Sequence, residues 1–137
     1  MELTKTQRIV SWLCRFTAAV ILFQTLFFKF TGAPESVYIF TKVGLEPWGR
    51  YGSGVVELIA VILLMIPCKA WLGALLTIGV LGGAIFSHLT VLGVVVQNDG
   101  GLLFCLAVVA EFCGLVTLYL HRRQLPFISP WLSSKSA

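Results

Sequence analysis

Four ionisable residues lie inside long apolar stretches of this 137-residue chain: Arg15, Glu57, His88 and Glu111. A charge at the centre of a bilayer costs about 2.5 to 3.5 kcal/mol on insertion-based scales, so such residues usually face one another or a wet cavity inside a bundle. Histidine titrates near neutral pH, and a carboxylate beside it can accept a proton or orient the imidazole. The chemistry open to these residues is therefore proton transfer, or recognition of a small polar or quinone-like head group.

Depth along the apolar stretches brings five polar residues to the same side of the membrane. At about 1.5 Å per residue, Glu57 lies about 10 Å and His88 about 12 Å from the outer ends of their segments, so the two could meet. Arg50 is seven residues before Glu57 and shares its helical face. Lys29 ends the first segment and Asp99 starts the fourth. We expect an outer-side polar cluster of Lys29, Arg50, Glu57, His88 and Asp99.

A second buried pair is predicted nearer the inner side. Arg15 lies about 9 Å from the inner face, with a side chain long enough to reach toward the midplane, and Glu111 lies about 16 Å along its segment. Ala107 and Gly114 share the face of Glu111 and allow a neighbouring backbone to approach it. The alternative is that all these charged pairs are structural, neutralised internally without a ligand.

Composition indicates a membrane protein that surrounds these residues with apolar helices. Hydrophobic residues make up 58% of the chain and charged residues only 12%, whereas soluble domains carry roughly 25% charged residues. The apolar segments cover about residues 9–28, 47–66, 71–96 and 100–120, each long enough to span a bilayer. Short turns at 67–70 and 97–99 make neighbours antiparallel. We predict an all-α, four-helix transmembrane bundle that forms one domain over residues 1–137.

The long connection between the first two segments predicts a short additional helix. Pro34 suits a first helical position, and Gly44 can end the helix after Val43. Ten residues are too few to span the membrane. Because the stretch is rich in apolar and aromatic side chains, we expect it to lie at the outer surface or to fold back over the bundle as a lid.

The basic residues predict the orientation of the chain. Six lie on one side, namely Lys5, Arg8, Lys69, Arg122, Arg123 and Lys135, and three on the other, namely Lys29, Lys42 and Arg50. The positive-inside rule then places both termini in the cytoplasm, with the bundle in the inner membrane. Since the net charge of +4 comes from residues at segment ends, it indicates membrane topology and excludes nucleic acid as a partner.

Metal and thiol chemistry find little support in the sequence. One histidine and one or two carboxylates fall short of the usual three protein ligands of a catalytic zinc site, so we expect no metal. The four cysteines, Cys14, Cys68, Cys105 and Cys113, contain no C-x-x-C pair. We therefore expect them to serve as small apolar side chains rather than as redox thiols.

Several short strings, in order along the chain, resemble the DoxX family of small four-helix membrane proteins. The resemblance covers about residues 10 to 120. It implies a membrane component of redox or envelope-stress systems, since that family includes a membrane subunit of archaeal thiosulfate:quinone oxidoreductase and a mycobacterial protein associated with oxidative-stress defence. The family-like positions are Lys29, Glu57, His88, Asn98 and Asp99. The strings are Phe28-Lys29-Phe30-Thr31-Gly32, Gly44-Leu45, Gly54 to Glu57, Gly83-Ala84-Ile85 to His88-Leu89, and Asn98-Asp99-Gly100-Gly101 before Leu103-Phe104.

These observations give three functional hypotheses. The first is an accessory subunit of a membrane redox or oxidative-stress system, with a quinone or another small molecule in an outer-side pocket. The second is a small transporter in which Glu57 and His88 couple substrate to protons. The third is a purely structural subunit. The candidate partners are the lipid bilayer, a redox-system protein and a second copy of the chain; the sequence does not say whether the protein is an enzyme.

Overall fold

Five α-helices make up most of this computed structural model, which describes residues 3–96 and 100–124. They are α1 (Lys5–Thr31), α2 (Pro34–Val43), α3 (Trp48–Met65), α4 (Ala70–Ser87) and α5 (Leu102–Leu120). A 3₁₀ turn, Pro67–Lys69, leads into α4, and a π-helical turn, His88–Leu92, continues it. A second 3₁₀ turn, Arg122–Gln124, follows α5. Within the described ranges no residue forms a strand.

Helices α1, α3, α4 with its flanking turns, and α5 are long and apolar enough to cross a membrane. Helix α1 packs against α3 and α5, and α4 packs against the same two helices, which closes a four-helix bundle. The predicted all-α membrane fold is thus confirmed. Helix α2 contacts α1, α3 and the π-helical turn, and so covers one end of the bundle. We call this the α2 end, and the opposite end, where α1 begins and α5 ends, the terminal end.

Capping residues explain where the helices differ from the predicted segments. Helix α1 begins at Lys5 rather than near residue 9, because Gln7 N–H donates to Thr4 Oγ1 at 3.2 Å and Thr4 N–H donates to Gln7 Oε1 at 3.0 Å, a capping box. The third span ends at Leu92 rather than near residue 96, because Gly93 has φ +80°, outside the helical region. The predicted turn at 97–99 lies outside the described residues.

The bundle is lined by small side chains and surrounded by large ones. Fully or nearly fully buried alanines occur in every spanning helix, at positions 18, 60, 74, 107 and 110. Phenylalanines 16, 23, 27, 86 and 112 are all more than 60% exposed. Lipid gives no hydrophobic driving force for burying large side chains, so close packing of small residues holds such helices together.

Helices α3 and α4 approach each other most closely at Gly73. A β-carbon placed on Gly73 would lie 2.7 Å from the backbone nitrogen of Leu64 and 3.1 Å from the carbonyl oxygen of Ala60. Both are backbone atoms of α3, which cannot turn aside as a flexible side chain can. Glycine at this position therefore fixes the spacing of the two helices.

Gly73→Ala should lower the free energy of unfolding by about 1–3 kcal/mol, the usual cost of overpacking a tight site. Gly79→Ala is the matched control, because a β-carbon there would meet no atom within 4 Å. It should leave stability unchanged or slightly raised, since alanine is the better helix former. Unfolding of both variants in detergent, followed by circular dichroism, measures the difference. Equal stability would contradict the close contact between the α3 and α4 backbones.

At the terminal end, buried polar contacts join α1 to its neighbours. Ser11 Oγ lies 2.7 Å from Nε2 of His121, the residue that follows α5, and both residues are buried. Arg15, one turn deeper, donates from Nε to the carbonyl oxygen of Leu64 at 2.5 Å. Its guanidinium carbon lies 3.8 Å from the centre of the Trp12 ring. These contacts tie the beginning of α1 to the ends of α3 and α5.

The environment of His121 favours its neutral form. Burial lowers the pKa of His121 below its ordinary value, and the positive charge of Arg15 lowers it further, while a hydrogen bond with Gln124 acts in the opposite direction. In the unfolded chain a histidine titrates with a pKa of about 6.5. The unfolded state therefore binds a proton at His121 at a higher pH than the folded state does.

Acidification should therefore destabilise the wild-type protein. The contribution of neutral His121 is fully present above about pH 6.5 and is lost as the pH falls through the lowered folded-state pKa. His121→Gln retains a polar side chain but cannot titrate, so its stability should fall less between about pH 7 and 5. Thermal unfolding of both proteins across this range provides the measurement. Parallel pH profiles would show that His121 does not contribute to the acid sensitivity.

Candidate functional site

A buried ion pair joins α1 to α3 below the α2 end. Lys29 Nζ donates to Glu57 Oε1, and the Thr25 hydroxyl donates to Glu57 Oε2 at 2.9 Å. The side chain of Glu57 is only 2% exposed and that of Lys29 14%. Thr25 and Lys29 are one helical turn apart, so α1 presents both donors to the same carboxylate. The predicted proximity of Lys29 and Glu57 is thus present in the structure, with both oxygens of Glu57 occupied.

Arg50 adjoins this pair by capping the end of α1. Its Nη1 donates to the carbonyl oxygen of Lys29, one of the carbonyls that a helix C-terminus leaves without an intrahelical partner. Its Nε and Nη2 face the carboxylate of Glu46 at 2.8 to 3.0 Å. Sequence reasoning missed Glu46 as a member of the cluster. The four-residue spacing of Glu46 and Arg50 was the available signal, because an acidic residue four positions before a basic one forms an ion pair on a helix.

Helix α2 closes the bundle above the ion pair. Pro34 occupies the first turn and Gly44, with φ +85°, ends the helix, as predicted. Lys29 Nζ lies 5.7 Å from the centre of the Phe40 ring, within the range of a cation–π contact. Ser36 is buried. Of the two placements expected for this segment, the structure shows the one in which it folds over the bundle.

His88 lies at the same end but does not bind Glu57. Its Nδ1 is 2.8 Å from the carbonyl oxygen of Ala84, one turn earlier in its own helix. Its Nε2 is buried and has no hydrogen-bond partner among the described residues. The ring centre is 5.7 Å from that of Phe104 on α5. The predicted Glu57–His88 contact is not formed as a hydrogen bond, because Glu57 is already satisfied by α1 and His88 Nδ1 by its own backbone.

The structure does not join the second predicted pair, Arg15 and Glu111. No ion pair joins them among the described residues. Arg15 is held beside the end of α3 by Leu64 and Trp12. Glu111 precedes His121 by ten residues, or about 15 Å of helix, and so lies far deeper than the level of Arg15. Its side chain is partly buried, and its Oε2 has no hydrogen-bond partner.

The remaining predicted positions, Asn98 and Asp99, lie outside the described residues, so their part in the cluster stays a prediction. Lys29 bonds both Glu57 and Arg50, and His88 is at the same end of the bundle. The four cysteines are free. No group of three or more metal-ligating side chains occurs in the described part of the chain.

Two open apolar grooves lie away from this cluster. One is an open groove of about 360 Å³ between α1 and α3, and the other is a groove of about 450 Å³ along the first turns of α1. Neither groove is lined by Lys29, Arg50, Glu57 or His88. Neither groove therefore reaches the cluster beneath α2.

Lys29→Met and Glu57→Gln should each lower the free energy of unfolding by about 3–5 kcal/mol, because either change leaves an uncompensated partner in a buried site. The double variant should lose much less than the sum of the two, since it removes both charges. Lys42→Met is the matched control, because Lys42 is exposed and bonds only Tyr38. Unfolding in detergent measures all four variants; additive losses would contradict a coupled pair.

Comparison with known proteins identifies the family. The model of the DoxX-like family matches residues 13–112. None of the curated proteins and none of the solved structures compared with the chain gives a match. The matched range is well over half of the 137 residues and contains Lys29, Glu57 and His88. This membrane protein therefore belongs to the DoxX-like family.

Proposed function

We propose that this protein is a membrane component of a redox or oxidative-stress system and that it holds a quinone or a similar small polar head group at its α2 end. The observation that carries the proposal is the buried Lys29–Glu57 ion pair beneath α2, with the unpartnered Nε2 of His88 at the same end. Membership of the DoxX-like family supports the redox association. The proposed role is ligand binding, which does not require the chain to carry a redox centre.

The energetic cost of the ion pair supports a binding role. Removing two charges from water costs several kcal/mol per ion, and apolar residues of similar volume often give equal or greater stability. The α1–α3 contact already has an apolar core that includes Leu22, Ala60 and Leu64. Stability alone therefore does not require charges at this depth, whereas recognition of a polar group does.

The donors and acceptors in the cluster suit a head group with ring oxygens. The Lys29 ammonium has three N–H donors, of which Glu57 accepts one. A quinone carbonyl can accept another, and a hydroxyl can donate to the Glu57 carboxylate. Phe40 and Phe104 offer apolar faces near Lys29 and His88 respectively. An aromatic head group with oxygen substituents matches this combination.

We further propose that the α2 end faces outward and that both termini are cytoplasmic, in the inner membrane. Arg8, Lys69 and Arg122 are at the terminal end, where positive charge favours the cytoplasmic side. A head group bound at the α2 end would then lie toward the outer side. An outward-facing partner protein of a redox system could reach that end of the bundle.

Wild-type protein purified gently from native membranes should retain a quinone or another defined small molecule. Lys29→Gln/Glu57→Gln should lose it, because the double variant removes the charges but keeps similar side-chain volumes. Lys42→Gln serves as the surface control and should retain it. Mass spectrometry of the extracted small molecules, normalised to protein, gives the occupancy.

Equal retention by all three proteins, or no retained molecule in any, would contradict the binding proposal and favour a structural subunit. A substrate flux that Glu57→Gln abolishes, without a retained molecule, would instead favour the transporter hypothesis. The folded state of the double variant is checked by its elution volume and its helical content. A loss of ligand therefore counts only for protein that remains folded.

A further inference from the structure

We propose that His88 Nε2 accepts a hydrogen bond from a hydroxyl group of the ligand, so that the site selects the reduced, quinol class over the quinone. This inference rests on the proposed function and names the substrate form that the same site prefers. Its basis is the tautomer of His88, which the surrounding hydrogen bonds define. The redox state of the ligand matters because a quinol carries O–H donors and a quinone carries only acceptors.

The tautomer follows from the partner of Nδ1. Nδ1 lies 2.8 Å from the carbonyl oxygen of Ala84, and a carbonyl oxygen can only accept. The network therefore assigns the proton to Nδ1. In a neutral imidazole with its proton on Nδ1, Nε2 is a bare lone pair. Nε2 of His88 is accordingly a hydrogen-bond acceptor and does not donate to a quinone carbonyl.

Burial of this lone pair destabilises the folded protein unless a ligand donates a hydrogen bond to it. His88 is 5% exposed, and Nε2 is one of the buried side-chain atoms that have no hydrogen-bond partner. A buried acceptor without a partner has lost its hydrogen bonds to water without gaining others, which destabilises the folded protein. Polar groups in this condition are rare, and each calls for a physical reason. A hydroxyl donor from a bound molecule supplies one.

The local backbone also favours a binding role. His88 is the first residue of the π-helical turn His88–Leu92. Single π-helical turns are uncommon and often occur at functional sites. Helix α2 packs against this turn, and Phe104 of α5 lies beside the imidazole. Three elements therefore meet around a single unsatisfied acceptor.

Helix α2 packs against the turn that begins at His88, so we expect α2 to move when a ligand binds there. Helix α2 lies between Gly32 with φ +70° and Gly44 with φ +85°, two positions where glycine permits a conformation that other residues rarely adopt. Such positions can absorb the backbone change of a hinge. A ligand would enter as α2 lifts, and α2 would then close over the new hydrogen bond.

The binding test uses duroquinol, duroquinone and duroquinol dimethyl ether as probes, titrated anaerobically into wild-type protein in nanodiscs with calorimetric detection. Duroquinol should bind about tenfold more tightly than either other probe, because only it has O–H donors. His88→Phe should lose that preference. His88→Gln, whose amide oxygen can replace the acceptor, should retain part of it.

The possible failures are distinguishable. Equal binding of duroquinol and its dimethyl ether by the wild type, or an unchanged preference in His88→Phe, would overturn the role of His88 but leave quinone-class binding intact. No binding of any probe would overturn the proposed quinone-class site as well. If His88→Phe does not fold, the preference retained by His88→Gln is compared with that of His88→Met, which lacks a comparable acceptor.

Nitrogen NMR tests the tautomer without any ligand. The chain has two histidines, so the His121→Gln variant labelled with ¹⁵N-histidine reports on His88 alone. We expect a protonated Nδ1 and an unprotonated Nε2, with the Nε2 signal shifting when duroquinol is added and staying in place when the dimethyl ether is added. A proton on Nε2 in the free protein would overturn the proposal.

Discussion

The contact between Lys29 and Glu57 constrains three helices at once. Lys29 is in the last turn of α1, where the helix dipole favours a cation, and its side chain reaches across to the carboxylate on α3. The carbonyl of the same residue receives Arg50, whose charge is compensated by Glu46. Phe40 of α2 lies over the ammonium. One neutralised charge in an apolar bundle therefore links the end of α1, the start of α3 and the position of α2.

The opposite side of the bundle is held together differently. Between α4 and α5, a β-carbon on Gly114 would lie 3.3 Å from side-chain atoms of Thr77 and Ile78, so these helices meet through close packing. The hydroxyls of Thr77 and Thr117 donate to carbonyl oxygens four residues earlier in their own helices, each at 2.8 Å. These two hydroxyls thus add no polar link between α4 and α5. The ion pairs of the described residues lie where α1, α2 and α3 meet, which makes that end the chemically distinctive one.

Hydropathy and residue spacing were enough to predict the architecture. Four long apolar segments give four spanning helices, and Pro34 and Gly44 bound α2. In the structure Lys29 bonds both Glu57 and Arg50, which depth places on the same side. Depth along the segments does not predict the hydrogen-bond partner of a side chain for which two acceptors compete. Arg15 bonds the nearby carbonyl of Leu64 rather than the distant Glu111, and His88 bonds the carbonyl of Ala84 in its own helix. Side-chain direction and local backbone acceptors decide such pairings, and segment position does not reveal them.

The helix boundaries also include one feature that the sequence pattern predicts and one that it does not. The Thr4–Gln7 capping box was present in the sequence and could have extended the first segment to Lys5. The π-helical turn at His88 leaves no comparable signature, because the residues from His88 to Leu92 suit an α-helix equally well by hydropathy. This turn determines where the imidazole lies relative to α2 and Phe104. The feature most relevant to the proposed binding is therefore the one that hydropathy could not have predicted.

Three buried side-chain atoms among the described residues have no hydrogen-bond partner: Arg15 Nη2, Glu111 Oε2 and His88 Nε2. They differ in how much their surroundings offset the cost of burying each atom without a hydrogen bond. The Arg15 guanidinium stacks on the Trp12 ring, which attracts its positive charge. Glu111 is only partly buried. His88 is nearly fully buried, and its other ring nitrogen is already used, so its acceptor is the least compensated of the three. This difference makes His88 Nε2, rather than the Glu111 carboxylate, the acceptor that the proposed ligand would bind.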